Sequence, residues 1–381
     1  MTAGWADLER NIAELAESWR SDRPARQARR HLDPVDFDRL RDAGYLRVVV
    51  PEQRGGLWTS LAESTRPICS AVRALAAADP SVALVAAMHP AVVGFWLARA
   101  DATASAWVEQ LDAVVSSAAA GRQWGTITSE PGSGGDIART TAVAVPAVDV
   151  DLPLPGATYR VSGDKHFGSG SGITDLMITT AIPADGDRPA FFVIDGGGDG
   201  RQVVAEWDGM GMAATQSHAM RLDSCPAVKM AWDGPIEDVT LAAGPLVSLL
   251  FTAVVIGVVD EAIATAKAQL GPKAAALRPY ERVEWTRAEA EHWLAVQAFD
   301  GALRTVEAGD GLAPLHTALR AKTCGAELAE SCLTRLTRTI GGATFSRRSP
   351  FSAWFEDVRA LGFLRPPWGL AYDNLFTTSL S

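Results

Sequence analysis

The chain has 381 residues, 48% of them hydrophobic and 21% charged, with a formal charge of −10 at neutral pH. At about 150 residues per domain this implies two or three subdomains with a large core, and the balance excludes a disordered chain. The negative charge repels phosphate backbones and so argues against nucleic-acid binding: Arg26, Arg29 and Arg30 cluster, but Asp22, Asp33, Asp36 and Asp38 surround them.

In chain order, Trp5, Leu8, Ile12, Leu15 and Trp19 recur at three- and four-residue intervals and predict an amphipathic first helix. The amino terminus before it carries no basic and apolar export signal. A second helix is predicted over 34–43, stopped by Gly44, with a short extended piece over 45–50. Asp79-Pro80-Ser81 predicts a helix start, because Asp caps the free backbone donors and Pro at the first position loses no bond. From about residue 122 the pattern changes to short runs over 140–145, 158–161, 175–181, 190–194 and 202–206, β-branched or alternating and separated by Gly, Pro and Asp. They predict an antiparallel β-domain. Helices return from about 236, over 246–270, 281–308 and 314–339.

The run 241–259 has no charged residue and approaches the length of a bilayer span, about 20 residues. Gly244-Pro245 interrupts its start and Asp260-Glu261 follow without basic or aromatic flanks, so it reads as a buried bundle helix and no membrane is expected. Cys69, Cys225, Cys324 and Cys332 lack metal or disulfide spacing and predict no metal site and a reducing cytoplasm. Cys324 and Cys332, eight apart, are expected on one helix face, both buried. The order helices, strands, helices is an α+β fold class, divided at 1–121, 122–235 and 236–381.

Thr126-Ile127-Thr128-Ser129-Glu130-Pro131-Gly132-Ser133-Gly134-Gly135-Asp136, followed by Gly163-Asp164-Lys165-His166-Phe167-Gly168-Ser169-Gly170, resembles the paired flavin-cradling segments of the acyl-CoA dehydrogenase superfamily. Leu40 to Gly44, Pro51 to Leu57, Gly209 to Met212 with Thr215 and Ser217, and Thr339 to Phe345 are similar to its other motifs, in order over nearly the whole chain. The resemblance implies an N-terminal α-helical domain, a middle antiparallel β-domain and a C-terminal four-helix bundle. It implies FAD, with FMN possible, and a homotetramer or homodimer. It places Ile127, Thr128, Ser129, Gly134, Gly135, Phe167, Gly168, Ser169, Gly341 and Gly342 at the cofactor. Phe167 stands where the family has a ring-covering Trp, and Ser169 where a Thr faces flavin N5. The glycines suit the site on their own account, since backbone can approach phosphates there without a Cβ.

The chain also departs from that family. The Glu that takes the substrate α-proton lies at a fixed interval after the Gly-Gly motif, and that position is Arg365 here, which cannot serve as a base. A second family branch carries its base on the long apolar helix, and the corresponding 246–248 stretch lacks a carboxylate too. Glu237 and Asp238 are near, expected in the preceding loop. These departures resemble a branch that oxygenates small molecules with reduced flavin and O2, often supplied by a separate flavin reductase. There the carboxylate base is dispensable, while donors must hold a flavin hydroperoxide. His89 is the candidate catalytic imidazole over the flavin, with a structural histidine capped by a backbone carbonyl as the alternative. Arg365 is the other candidate, holding an anionic substrate group or pairing with Glu356 or Asp357. The remaining alternatives are a dehydrogenase acting on an acyl thioester with an unrecognised base, and a non-catalytic partner subunit of a hetero-oligomeric dehydrogenase.

Overall fold

A computed structural model describes residues 3–309 and 311–379. The first layer is α1 (Ala3–Ser21), α2 (Arg23–Ala28), α3 (Pro34–Asp42), α4 (Leu61–Ala78), α5 (Pro80–Leu97) and α6 (Ser105–Ala119). Asp79 caps α5 by accepting from the Val82 N–H at 3.0 Å, with Pro80 in its first turn. Nearly every residue of α5 is buried, as befits a helix apolar on all sides. The 45–50 stretch, expected to be extended, is instead a short 3-10 turn, Tyr45–Val49, packed into the core.

Seven strands follow: β1 (Trp124–Thr126), β2 (Val143–Pro146), β3 (Thr158–Gly168), β4 (Leu176–Pro183), β5 (Ala190–Asp195), β6 (Arg201–Ala205) and β7 (His218–Lys229). Their pairings close a ring, β4–β2–β3–β7–β5 and back to β4, with β1 added on β4 and β6 on β7. The expectation of a purely antiparallel domain is corrected: β1 and β2 both run parallel to β4. Side chains alternate between two cores. On β5, Phe191 and Val193 join the helical core, while Phe192 and Ile194 fill the ring with Met177, Ala144 and Leu222.

The last layer is α7 (Ile236–Leu270), α8 (Pro279–Ala308), α9 (Ala313–Ile340), α10 (Phe351–Leu361) and α11 (Trp368–Ser379). α7, α8 and α9 pack on one another, and α7 and α8 pack on α4. α7 begins ten residues before the predicted Leu246 and runs through Pro245. Two helices, α5 and α7, are long and apolar enough to cross a membrane, and both are mostly buried in the fold. Glu237 and Asp238 lie in the first turn of α7 rather than in a loop, and both are exposed. Of the two cysteines on α9, Cys332 is buried but Cys324 is exposed, which corrects the expectation for that pair.

Candidate functional site

Two segments meet at the end of the strand ring. β1 leads into Ile127, whose N–H donates to the Ile178 carbonyl at 2.8 Å and whose carbonyl accepts from Thr179 Oγ1 at 2.7 Å. This fixes Ile127, Thr128 and Ser129 alongside β4. The other segment is the end of β3, where the β3–β7 register slips between Lys165 and Gly168. Such a bulge turns one side chain out of the ladder. Here it is Phe167, held at φ +57° and 58% exposed. The segments are tied by the His166 N–H donating to the Ser129 carbonyl at 2.8 Å.

Below this junction lies a buried ion pair. Lys165 Nζ donates to Glu130 Oε1 at 2.5 Å and to the Thr180 carbonyl at 2.6 Å. Burial alone would raise the Glu130 carboxyl, but Lys165, Thr140 and the Thr141 N–H hold it down at about 2. The lysine of the resembling motif is thus a clamp between β1's extension, β3 and β4.

The glycine loop after Glu130 is built for close approach. Gly132, Gly134 and Gly135 all take positive φ. A Cβ on Gly132 or Gly134 would meet nothing within 4 Å, whereas one on Gly135 would strike Pro367 at 2.7 Å. Pro367 belongs to the turn joining α10 to α11, and so does Arg365. Arg365 Nη2 donates to Ser129 Oγ at 2.6 Å. It pairs with neither Glu356 nor Asp357: Glu356 binds Arg359, and Asp357 Oδ1 accepts from the Met212 N–H at 2.7 Å. Desolvation lowers the Arg365 guanidinium to about 10, with Asp136 opposing, so it stays charged at neutral pH. The same turn is held from α9 by Lys322, which is 3% exposed and donates to the Pro366 carbonyl at 2.6 Å. Burial lowers its ammonium to about 8.

On the other side of Phe167, Gly168 is buried and Ser169 Oγ lies 2.8 Å from Ser217 Oγ. The Phe167 ring meets the edge of Trp207 at 6.0 Å. Sequence reading missed Ser217, Thr215 and Lys322 as parts of this cluster. Thr215 and Ser217 stood in a recognised motif, but only the fold brings them against Ser169.

His89 does not join the cluster. It is fully buried on α5, with Nε2 3.0 Å from the Leu46 carbonyl and Nδ1 accepting from the Trp124 N–H at 3.2 Å. Both ring nitrogens are satisfied, and desolvation lowers its pKa to about 4, leaving it neutral. This is the arrangement of the structural alternative, a histidine capped by a backbone carbonyl. Gly341 and Gly342 lie at the surface after α9, where a Cβ on either would meet nothing within 4 Å. Among the described residues no hydrogen bond links them to the Ser129–Ser169 cluster. A shallow depression of about 400 Å³ lined by Glu327, Glu330, Trp368 and Tyr372 lies between α9 and α11, where the Tyr372 hydroxyl donates to Glu327.

These residues fit a flat, polar-edged cofactor. An exposed aromatic side chain stands beside buried hydroxyls, a cation that among the described residues has no ion-pair partner within 4 Å, and a glycine loop open to solvent. Of the carboxylates around them, Glu130 is paired with Lys165, Asp357 accepts from the Met212 N–H and Asp136 from the Ala138 N–H.

No family model matches the chain. It is 28% identical to an amino sugar nitrososynthase, DnmZ, of Streptomyces peucetius, over 94% of this chain and 88% of that protein. It is 25% identical to a dibenzothiophene monooxygenase of Mycolicibacterium goodii, over 74% of this chain and 62% of that one. Its fold matches a nitrososynthase from Micromonospora carbonacea var. africana with a TM-score of 0.83 at 20% identity, covering 100% of this chain and 97% of the other. FMN-bound TdsC from Paenibacillus sp. A11-2 matches with a TM-score of 0.81 at 20% identity, covering 98% and 97%.

Proposed function

We propose that this chain, similar in sequence to a nitrososynthase and a monooxygenase and in fold to acyl-CoA dehydrogenase-like flavoenzymes, is a flavin-dependent monooxygenase that oxygenates a small amine with reduced flavin and O2. The observation that carries this reading is Arg365 at the place of the family's base, engaged to Ser129. A desaturase must remove an α-proton, and a guanidinium cannot accept one. Bound reduced flavin would supply two electrons to O2, one oxygen atom passing to the amine nitrogen and the other leaving as water.

In this reading Ile127, Thr128 and Ser129 meet the ring edge, Phe167 covers a face, and Gly168 and Ser169 border N5. Gly134 and Gly135 approach the phosphate end. Gly341 and Gly342, open at the surface, serve a neighbouring subunit, which fits a homotetramer or homodimer; Phe345 beside them is 79% exposed. The domain division at 121/122 and 235/236 follows the change from helices to strands and back. FMN, present in the TdsC structure, is preferred to the FAD that the sequence resemblance implied. A separate flavin reductase would deliver it in the cytoplasm.

The amine is suggested by the amino sugar nitrososynthase likeness. The depression between α9 and α11 offers Glu330, with Trp368 stacked on Tyr372 at 6.3 Å and Glu327 held by the Tyr372 hydroxyl, surroundings that suit an ammonium on a compact ring. Arg365 orients rather than transfers protons, and the closed strand ring beneath it excludes water. The rival dehydrogenase would need Glu237 or Asp238, which are exposed on α7 and, among the described residues, make no hydrogen bond to the cluster.

Incubation with a flavin reductase, isotopically labelled O2 and an amino sugar tests the reading. Label on the amine nitrogen supports it. Desaturation of an acyl thioester in place of oxygen transfer overturns it.

A further inference from the structure

Three hydroxyls stand in a row behind the proposed ring edge. Ser169 Oγ is 2.8 Å from Ser217 Oγ, which is 2.7 Å from Thr215 Oγ1. The row ends on a group that can only accept, for Thr215 Oγ1 lies 2.8 Å from the Met212 carbonyl oxygen. Each hydroxyl carries a single proton. Thr215 must direct its own to Met212, since two oxygens at that distance repel without a proton between them. The contact between Ser217 and Thr215 can then be bridged only by the Ser217 proton. By the same step Ser169 donates to Ser217. Every proton in the row points away from the cofactor side, and Ser169 Oγ faces that side with lone pairs alone.

The terminus that sets this direction is held firmly. Met212 takes φ +53°, its N–H donates to the buried Asp357 carboxyl at 2.7 Å, and its carbonyl also accepts from Trp207 Nε1 at 2.9 Å. Ser169, Thr215 and Ser217 are all buried, so solvent offers no competing partners that would let the row reverse. Ser129 has the opposite polarity. It accepts from Arg365, which leaves its own proton free to donate.

Oxidised flavin accepts at N5, while reduced flavin carries a hydrogen there and donates. We propose that the Met212–Thr215–Ser217–Ser169 row fixes Ser169 as an acceptor and so makes the site select reduced flavin over oxidised flavin. The inference rests on the reading above that sets Ser169 at the N5 edge. It names a device that lets the protein take up a delivered flavin and release it once spent. Thr215, Ser217 and Met212 act here as positioning residues, through Ser169.

Anaerobic titration with reduced FMN and aerobic titration with oxidised FMN, followed by fluorescence, test it on the purified full chain. The wild-type protein binds reduced FMN at least about tenfold more tightly, one well-formed hydrogen bond against one lone-pair clash. Ser217→Ala and Thr215→Val free the Ser169 proton, so the preference falls towards unity, chiefly through tighter binding of oxidised FMN. Thr215→Ser preserves the row and keeps the wild-type ratio, and Ser169→Ala loses the preference without gaining oxidised-state affinity. A merely structural role would weaken both redox states together. If Ser217→Ala fails to fold, the Thr215→Val and Thr215→Ser pair decides the matter alone. A wild-type ratio in Ser217→Ala or Thr215→Val overturns this inference and leaves the monooxygenase reading standing. No binding of either redox state overturns both.

Discussion

Arg365 Nη2 donates to Ser129 Oγ at 2.6 Å, joining the turn before α11 to the strand extension on which the glycine loop begins. A cation thus stands where the sequence resemblance would put a base, and it polarises a hydroxyl beside it. Arg365→Met and Ser129→Ala should each weaken reduced-FMN binding about tenfold, the value of a charge-assisted hydrogen bond. Arg365→Lys should recover little, because the shorter point charge does not reproduce the guanidinium's reach and geometry. Fluorescence titration of the three variants checks this.

His89 bridges the Leu46 carbonyl and the Trp124 N–H from inside the core. Its folded pKa of about 4 lies below the ordinary 6.5, so the unfolded chain binds more protons between those values. Stability therefore falls as pH drops from 6.5 towards 4, by about 3 kcal/mol at its full extent. His89→Gln should remove much of that dependence and lower thermal stability at pH 7. The pH profile of flavin reoxidation should be unchanged. A lost limb in that profile would restore His89 to catalysis.

Lys322 works in the opposite range. Its folded pKa of about 8 lies below the ordinary 10.5, so the buried charge costs stability at neutral pH, and that cost disappears as pH rises through the window. Lys322→Met should gain about 2 kcal/mol at pH 7, the relieved desolvation less one lost hydrogen bond, and lose about 1 kcal/mol near pH 10.5, where little but the lost hydrogen bond remains. Reduced-FMN binding should weaken in the same variant, because the Pro366 carbonyl loses its anchor beside Arg365. Denaturant melts at both pH values measure the first effect.

The Glu130–Lys165 pair should be the costliest to break. Its 2.5 Å contact is buried, and removal of one partner leaves a charge without compensation, about 3–5 kcal/mol. The depressed Glu130 carboxyl contributes stability above about pH 4.5 that is lost as pH falls through about 2. Lys165→Met should therefore unfold more readily at neutral pH and show a flatter acid limb. Urea titration against pH tests both.

What the sequence revealed depended on how local each signal was. Asp79-Pro80 announces α5 because capping and a first-turn proline act within four residues. β7, the strand that pairs with three others, escaped notice: Ser224, Cys225 and Pro226 interrupt its alternation, and its neighbours lie far away in sequence. The parallel pairings of β1 and β2 with β4 left no mark either, since register is set by the closing of the ring. Within the site, the segments at 126–136 and 163–170 were legible as a matched pair of motifs. The Arg365 substitution was legible as an absence, but its hydrogen bond to Ser129 is a relation across the whole chain. For His89 the sequence left two readings open, because a polar residue on an apolar helix shows neither its carbonyl nor its amide partner.

The most direct test is the rate at which air reoxidises reduced FMN, with and without stoichiometric protein, in the presence and absence of an acyl-CoA. The account predicts that the protein binds reduced FMN and slows its reoxidation, with no response to the thioester. Protein that carries oxidised flavin tightly and is reduced by the acyl-CoA would contradict it.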